Sequence, residues 1–104
     1  MKTAAIYIRV RVIHFSQEDI CKQMAICQQL AEQKGFAVVK TYIDHEEFGK
    51  PSRIQLPQMV EDSRTARWDA VIACSADRLC RNYKQYLAYQ RELERNGKKL
   101  LIAQ

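Results

Sequence analysis

The feature that most constrains this chain is the regular exchange of two side-chain periodicities along it. Ala4 to Val10 is rich in β-formers, with Ile6, Ile8 and Val10 sharing one face. Ser16-Gln17-Glu18-Asp19 then reads as a helix start, a hydroxyl cap followed by an acidic first turn. Ile20, Met24, Cys27 and Ala31 recur at helical spacing beside Leu30, and Gly35 stands where a C-terminal cap belongs. Ala37 to Ile43 is a second strand centred on Val38 and Val39, and Asp44 to Ser52 a charged loop holding Gly49 and Pro51. Leu56, Met59, Val60 and Ser63 share a helical stripe whose regular part starts near Pro57. Ala70 to Cys74 is a short apolar strand. Tyr83, Tyr86, Leu87, Gln90 and Leu93 mark a further helix closed by Gly97, and Leu100 to Ala103 a fourth strand. The order is βαβαβαβ. Strands alternating with helices predict an α/β fold of three layers, a mostly parallel sheet covered by helices on both faces.

The 104 residues make one domain, expected to be a fragment of a longer protein because it ends on a strand with no helix after it. Charge narrows the partners. Lys and Arg outnumber Asp and Glu by 17 to 12, a formal +5 that favours polyanions, of which nucleic acid is the commonest. No apolar run approaches the ~20 residues of a membrane helix, and the start of the chain shows no signal peptide. A cytoplasmic location without membrane attachment is the expectation. Cys21, Cys27, Cys74 and Cys80 form no CxxC pair and read as buried, inert thiols. His14 and His45 do not complete a zinc spacing, so no metal is expected.

In open α/β sheets ligands bind beyond the carboxyl ends of the strands, and unusual residues stand there. A strand buried on both faces should be apolar, so Arg9 and Arg11 at the end of the first mark an opening toward something anionic. The third strand runs into Ser75-Ala76-Asp77-Arg78-Leu79-Cys80-Arg81-Asn82. If that segment begins a helix, Arg78 and Arg81 lie one turn apart on one face. Guanidinium groups bind phosphate through paired hydrogen bonds, and Asp77 could orient one or bond amides at a helix start. The plain alternative is a solvated basic turn with a capping aspartate. With only three glycines and no GxGxxG or P-loop, a nucleotide cradle of backbone amides is excluded and no cofactor is expected. A phosphate site here must work through arginine side chains.

These residues resemble the catalytic domain of the serine site-specific recombinases, the resolvase and invertase family, along nearly the whole chain. Ala5-Ile6-Tyr7-Ile8-Arg9-Val10 is similar to the family's opening strand, and Ile20-Cys21-Lys22-Gln23 with Ala31-Glu32-Gln33-Lys34-Gly35-Phe36 to its first helix. Tyr42-Ile43-Asp44 resembles its Tyr-x-Asp, and Arg53-Ile54-Gln55-Leu56 its Arg-Pro-x-Leu. Ala76-Asp77-Arg78-Leu79-Cys80-Arg81-Asn82 resembles its Asp-Arg-Leu-Ser-Arg-Asn, the most specific of the five. The resemblance implies that a serine hydroxyl attacks a DNA phosphodiester, forms a phosphoserine link and releases a 3′ hydroxyl, and that rejoining reverses the step without ATP or metal. It implies Arg9, Arg53, Arg78 and Arg81 as the cluster that binds the DNA phosphate and stabilises charge on it. It further implies Gln23 as a supporting residue and Asp77 as a proton carrier or arginine orienter. Partners implied are double-stranded DNA and further copies of the chain, a dimer and then a tetramer when two DNA sites are paired.

Two departures fall on that face. The family's nucleophile follows directly on Arg-Val, where this chain has Arg11, which has no hydroxyl and keeps its proton. Ser16 is a substitute by position, although it also suits a helix cap. The family's Gly-x-Ser-Gly after the second strand is here Glu46-Glu47-Phe48-Gly49, two carboxylates where a phosphate should approach. Cys80, in place of a serine, is expected to pack. Three functions compete: an active recombinase domain, a non-cleaving relative that binds DNA or oligomerises, and a receiver-like domain with Asp44 as phosphoacceptor. Clustered arginines rather than acids at the strand ends speak against the third.

Overall fold

The computed structural model describes residues 2–11, 16–46 and 54–104, with the side chains of Arg11 and Ser16 outside that description. Their order is β1 (Lys2–Arg11), α1 (Ser16–Lys34), β2 (Phe36–Glu46), α2 (Gln55–Asp62), β3 (Ala70–Ala73), α3 (Ala76–Leu79), α4 (Tyr83–Arg95) and β4 (Lys99–Ile102). The strands form one parallel sheet in the order β2-β1-β3-β4. Right-handed crossovers then dictate the layers. The step from β1 to β2 runs one way along the sheet, and the steps to β3 and β4 run the other way. α1 therefore covers one face, and α2 and α4 cover the opposite one.

Alternation along β1 feeds both layers. Ala4, Ile6, Ile8 and Val10 pack with Cys27, Ala31 and partly buried Ile20 and Met24 of α1. Ala5 and Tyr7 face the other way, onto Leu56 and Met59 of α2, Leu79 of α3 and Leu93 of α4. This is the three-layer arrangement that the sequence predicts.

Several boundaries differ from the sequence reading. β1 extends over Lys2–Arg11, and β2 over Phe36–Glu46, so Asp44 to Glu46 belong to the strand rather than to a loop; the rest of that loop, Glu47 to Ser52, lies outside the described residues. Pairing with β1 holds the three residues in place, Arg9 opposite Asp44 and Arg11 opposite Glu46. α2 begins two residues before Pro57, which sits in its first turn, where its missing N–H leaves no intrahelical bond unmade. α1 begins at Ser16 itself. β3 stops at Ala73 and β4 spans Lys99–Ile102, each within a residue of expectation.

The helix expected to carry both Arg78 and Arg81 ends at Leu79, before Arg81. Cys80 is extended (φ −162°, ψ 130°), and Asn82 starts α4 afresh by accepting a hydrogen bond from the Gln85 amide at 3.1 Å. The two arginines therefore share no helical face. At the far end, Gly97 (φ +79°) closes α4: the Lys98 amide donates to Leu93 and the Gly97 amide to Glu94, the left-handed cap only glycine forms without strain. Cys27, Cys74 and Cys80 are buried as expected, whereas Cys21 is exposed, on the outer side of α1.

One irregularity sets the face of everything after it. Ala4 pairs with Val38 but Ala5 pairs with Lys40, so Val39 is an extra residue, bulged and exposed rather than central. An inserted residue inverts the alternation downstream. Before the bulge, Phe36 and Val38 pack toward α1; beyond it the odd-numbered Ile43 does so. Tyr42 is thereby turned onto the α2 layer.

Candidate functional site

The sheet order places a switch point between β1 and β3, whose following chains leave in opposite directions, the place where open α/β sheets form a ligand crevice beyond the carboxyl ends. Arg9 comes to that crevice from β1, Glu46 from β2, Ser75 to Arg78 from the turn after β3, and Asp19 and Gln23 from the start of α1.

Arg9 is the centre of the group and is 3% exposed. Its Nη1 meets Glu46 Oε1 at 3.0 Å, its Nη2 donates to the Asp77 carbonyl oxygen at 2.5 Å, and its Nε is buried with no hydrogen-bond partner among the described residues. The β1–β3 pairing ends at Tyr7. Beyond it the Arg9 carbonyl accepts from Gln23 Nε2 at 2.9 Å and, at a longer 3.4 Å, from Arg78 Nη1. Gln23 also donates to Asp19 Oδ1 at 3.2 Å, while Asp19 Oδ2 lies 3.4 Å from Arg78 Nη1. Asp19 and Gln23 stand four residues apart on α1, the spacing that stacks side chains on one helix face. Asp19 is thus an anchor for Arg78 that the sequence reading took only as part of a helix start.

Asp77 stands beside both Arg9 and Arg78. Its carboxylate accepts from the Ser75 hydroxyl at 2.6 Å, and that bond, ahead of the nearby Arg78 and Arg9 charges, holds its pKa below the ordinary carboxylate value. Its side chain is exposed, and its backbone carbonyl accepts from Arg9 Nη2.

Asp44 belongs to a different task. It is 3% exposed and accepts four hydrogen bonds, from the Tyr7 hydroxyl at 2.8 Å and from the amides of Ile54, Gln55 and Leu56 at 3.0, 2.8 and 2.9 Å. Those amides are the unpaired donors at the start of α2, so Asp44 caps that helix from a neighbouring strand. A buried carboxylate with both oxygens engaged cannot serve as a phosphoacceptor, and the receiver reading fails on this geometry.

Of the residues singled out from sequence, Arg9, Gln23, Asp77 and Arg78 are brought together. Arg81 lies in the link before α4, exposed and without an ion pair among the described residues. Arg53 and the side chains of Arg11 and Ser16 lie outside the described residues. Cys80 packs as expected, its sulfur 3.4 Å from Gln85 Oε1. Glu46 was legible only as a departure from a family pattern, and nothing in the sequence pairs it with Arg9.

The described residues form a parallel α/β domain with the Arg9 and Arg78 guanidiniums at its switch point. Residues 4–104 match the family model described as Resolvase, N terminal domain, and the chain belongs to that family. Site-specific recombination is the function that goes with it. The N-terminal catalytic domain of TP901-1 integrase superposes with a TM-score of 0.80 at 27% identity, over 98% of this chain and 77% of that one. A resolvase family site-specific recombinase from Streptococcus pneumoniae has a TM-score of 0.86 at 22% identity, over 99% and 72% of the two chains. The C-terminal catalytic domain of ISC1926 TnpA, an IS607-like serine recombinase, has 0.80 at 24%, over 98% and 70%. The last two likenesses carry the fold. No curated protein matches the chain.

Proposed function

We propose that this chain is the catalytic domain of a serine-type, mobile-element recombinase that works on double-stranded DNA in the cytoplasm as a homo-oligomer. The observation that carries the reading is the meeting of Arg9, Gln23 and the Asp77–Arg78 turn at one crevice of a chain with formal charge +5. In strand transfer a hydroxyl oxygen bonds to phosphorus and gives up its proton to the surroundings, while the 3′ oxygen leaves with the bonding pair and takes a proton from them. Charge rises on the two non-bridging oxygens, and fixed guanidiniums stabilise it because they need no reorganisation as it appears. Arg78, a third exposed at its side chain, is the cation a phosphate meets first. Gln23 holds the end of β1 and so the aim of Arg9, and Asp19 holds Arg78. By resemblance to the family, Arg81 and Arg53 are further phosphate contacts.

Arg11 supplies no nucleophile, and the enzyme reading takes the hydroxyl of Ser16 as its substitute. A second reading is favoured by Arg11 alone: a relative that binds and assembles on DNA without cutting it. The full-length protein incubated with its native site separates them. A covalent DNA adduct that maps to Ser16, and disappears in Ser16→Ala, carries the enzyme reading. Absence of an adduct, with DNA affinity that falls about tenfold in Arg78→Ala, carries the non-cleaving reading; tenfold is about 1.4 kcal/mol, within the range of one charge-assisted contact. DNA affinity unchanged in Arg78→Ala, with no adduct, refutes both.

A further inference from the structure

The Arg9 guanidinium already holds an anion. Glu46 Oε1 lies 3.0 Å from Nη1, with the two side chains only 4% and 16% exposed, so the pair is largely withdrawn from water. A carboxylate offers a guanidinium the same planar pair of oxygens that a phosphate does. We propose that Glu46 is an internal stand-in for a DNA phosphate: it neutralises Arg9 in the DNA-free chain, and a backbone phosphate must displace it to reach that guanidinium. The inference rests on the reading of the crevice as a DNA-phosphate site.

Three observations support it. Arg9 Nη2 is fixed by the Asp77 carbonyl and Nε is buried without a partner among the described residues, so the guanidinium is held in orientation yet keeps a donor in reserve. A buried donor without a partner among the described residues is one that a phosphate oxygen can satisfy once it replaces the carboxylate. The Val39 bulge is what turns the even-numbered residues of β2 onto the layer that Tyr7 faces, and Glu46 follows that parity. Finally, carboxylate and phosphate repel at this range, so the two cannot share Arg9. Glu46 therefore stabilises the empty site and weakens its occupation, a brake acting on the cation that should grip DNA.

The test compares the wild-type chain, Glu46→Gln, Arg78→Ala and the double variant Glu46→Gln/Arg9→Lys. Binding to a fluorescein-labelled 30-base-pair duplex is read by anisotropy at about 50 mM salt, where phosphate contacts dominate affinity. Glu46→Gln should tighten binding about tenfold, and Arg9→Lys should abolish the gain. Glu46→Gln unchanged while Arg78→Ala weakens binding overturns the stand-in and leaves the phosphate site intact. Arg78→Ala without effect overturns the phosphate site itself. Removing Glu46 leaves a buried cation uncompensated and lowers stability, so thermal melting in inorganic phosphate against chloride at equal ionic strength is the second readout. Phosphate should raise the Tm of Glu46→Gln, or restore its folding, and leave the wild type unmoved; equal response of the two refutes the proposal.

Discussion

Asp44 is the residue whose removal should cost the fold most for the fewest atoms. Truncation to alanine takes one acceptor from the buried Tyr7 hydroxyl and the cap from three amides at the start of α2. Losing a helix cap costs about 0.5–2 kcal/mol, and depriving a buried polar group of its acceptor about 1–3 kcal/mol. The two together give about 3 kcal/mol, since burial of the carboxylate charge is relieved at the same time. With a urea m-value of about 1.5 kcal/mol per molar, the unfolding midpoint should fall by about 2 M. Tyr7→Phe removes one of the four bonds and should cost only about 1 kcal/mol. Asp44→Asn offers one oxygen and turns an NH2 group toward backbone donors, so it should lie within about 1 kcal/mol of alanine rather than rescue the loss. Equilibrium urea unfolding followed by circular dichroism checks all three. A midpoint shift under about 0.5 M for Asp44→Ala would show that the four bonds are not what holds α2 to the sheet.

Two further outcomes follow from protonation. Hydrogen bonds from Tyr42 at 2.7 Å and Gln58 at 2.8 Å hold the Asp62 carboxyl below its ordinary value of 3.8, so the unfolded chain binds that proton more tightly than the folded one. The stability it contributes is fully present above the ordinary value and disappears as pH falls through the lowered one; a urea series from pH 6 to pH 2 should lose part of its acid slope in Asp62→Asn, and an unchanged slope would refute the assignment. Among the thiols, burial pushes Cys27 up to about 12 and also raises Cys74, while Cys21 is exposed. A thiol reagent at pH 8 should modify Cys21 rapidly and Cys27 only on unfolding, with mass spectrometry of the digest as the check; fast labelling of native Cys27 would contradict its burial.

Much of this was legible in the chain itself. The exchange of strand and helix periodicity determined the parallel α/β layering, because each period buries a stripe that only the other element can cover. Strand-end arginines marked the crevice, because a sheet covered on both faces does not leave a guanidinium in its apolar interior without purpose. Arg9 and Arg78 are legible that way, and Gln23 only through the resemblance to the family. The exchange could not show that Cys80 breaks the helix and separates Arg81 from Arg78, since the residue pattern there suits a continuous turn equally well.

What tertiary structure alone decided is the direction in which β2 presents its charged end. A single extra residue at Val39 turns Tyr42 onto the α2 layer, with Asp44 closing on the start of α2 and Glu46 on Arg9. Sequence periodicity records which residues alternate, but the face they take depends on register against β1, and register is fixed by long-range pairing such as Ala5 with Lys40 rather than by any local preference.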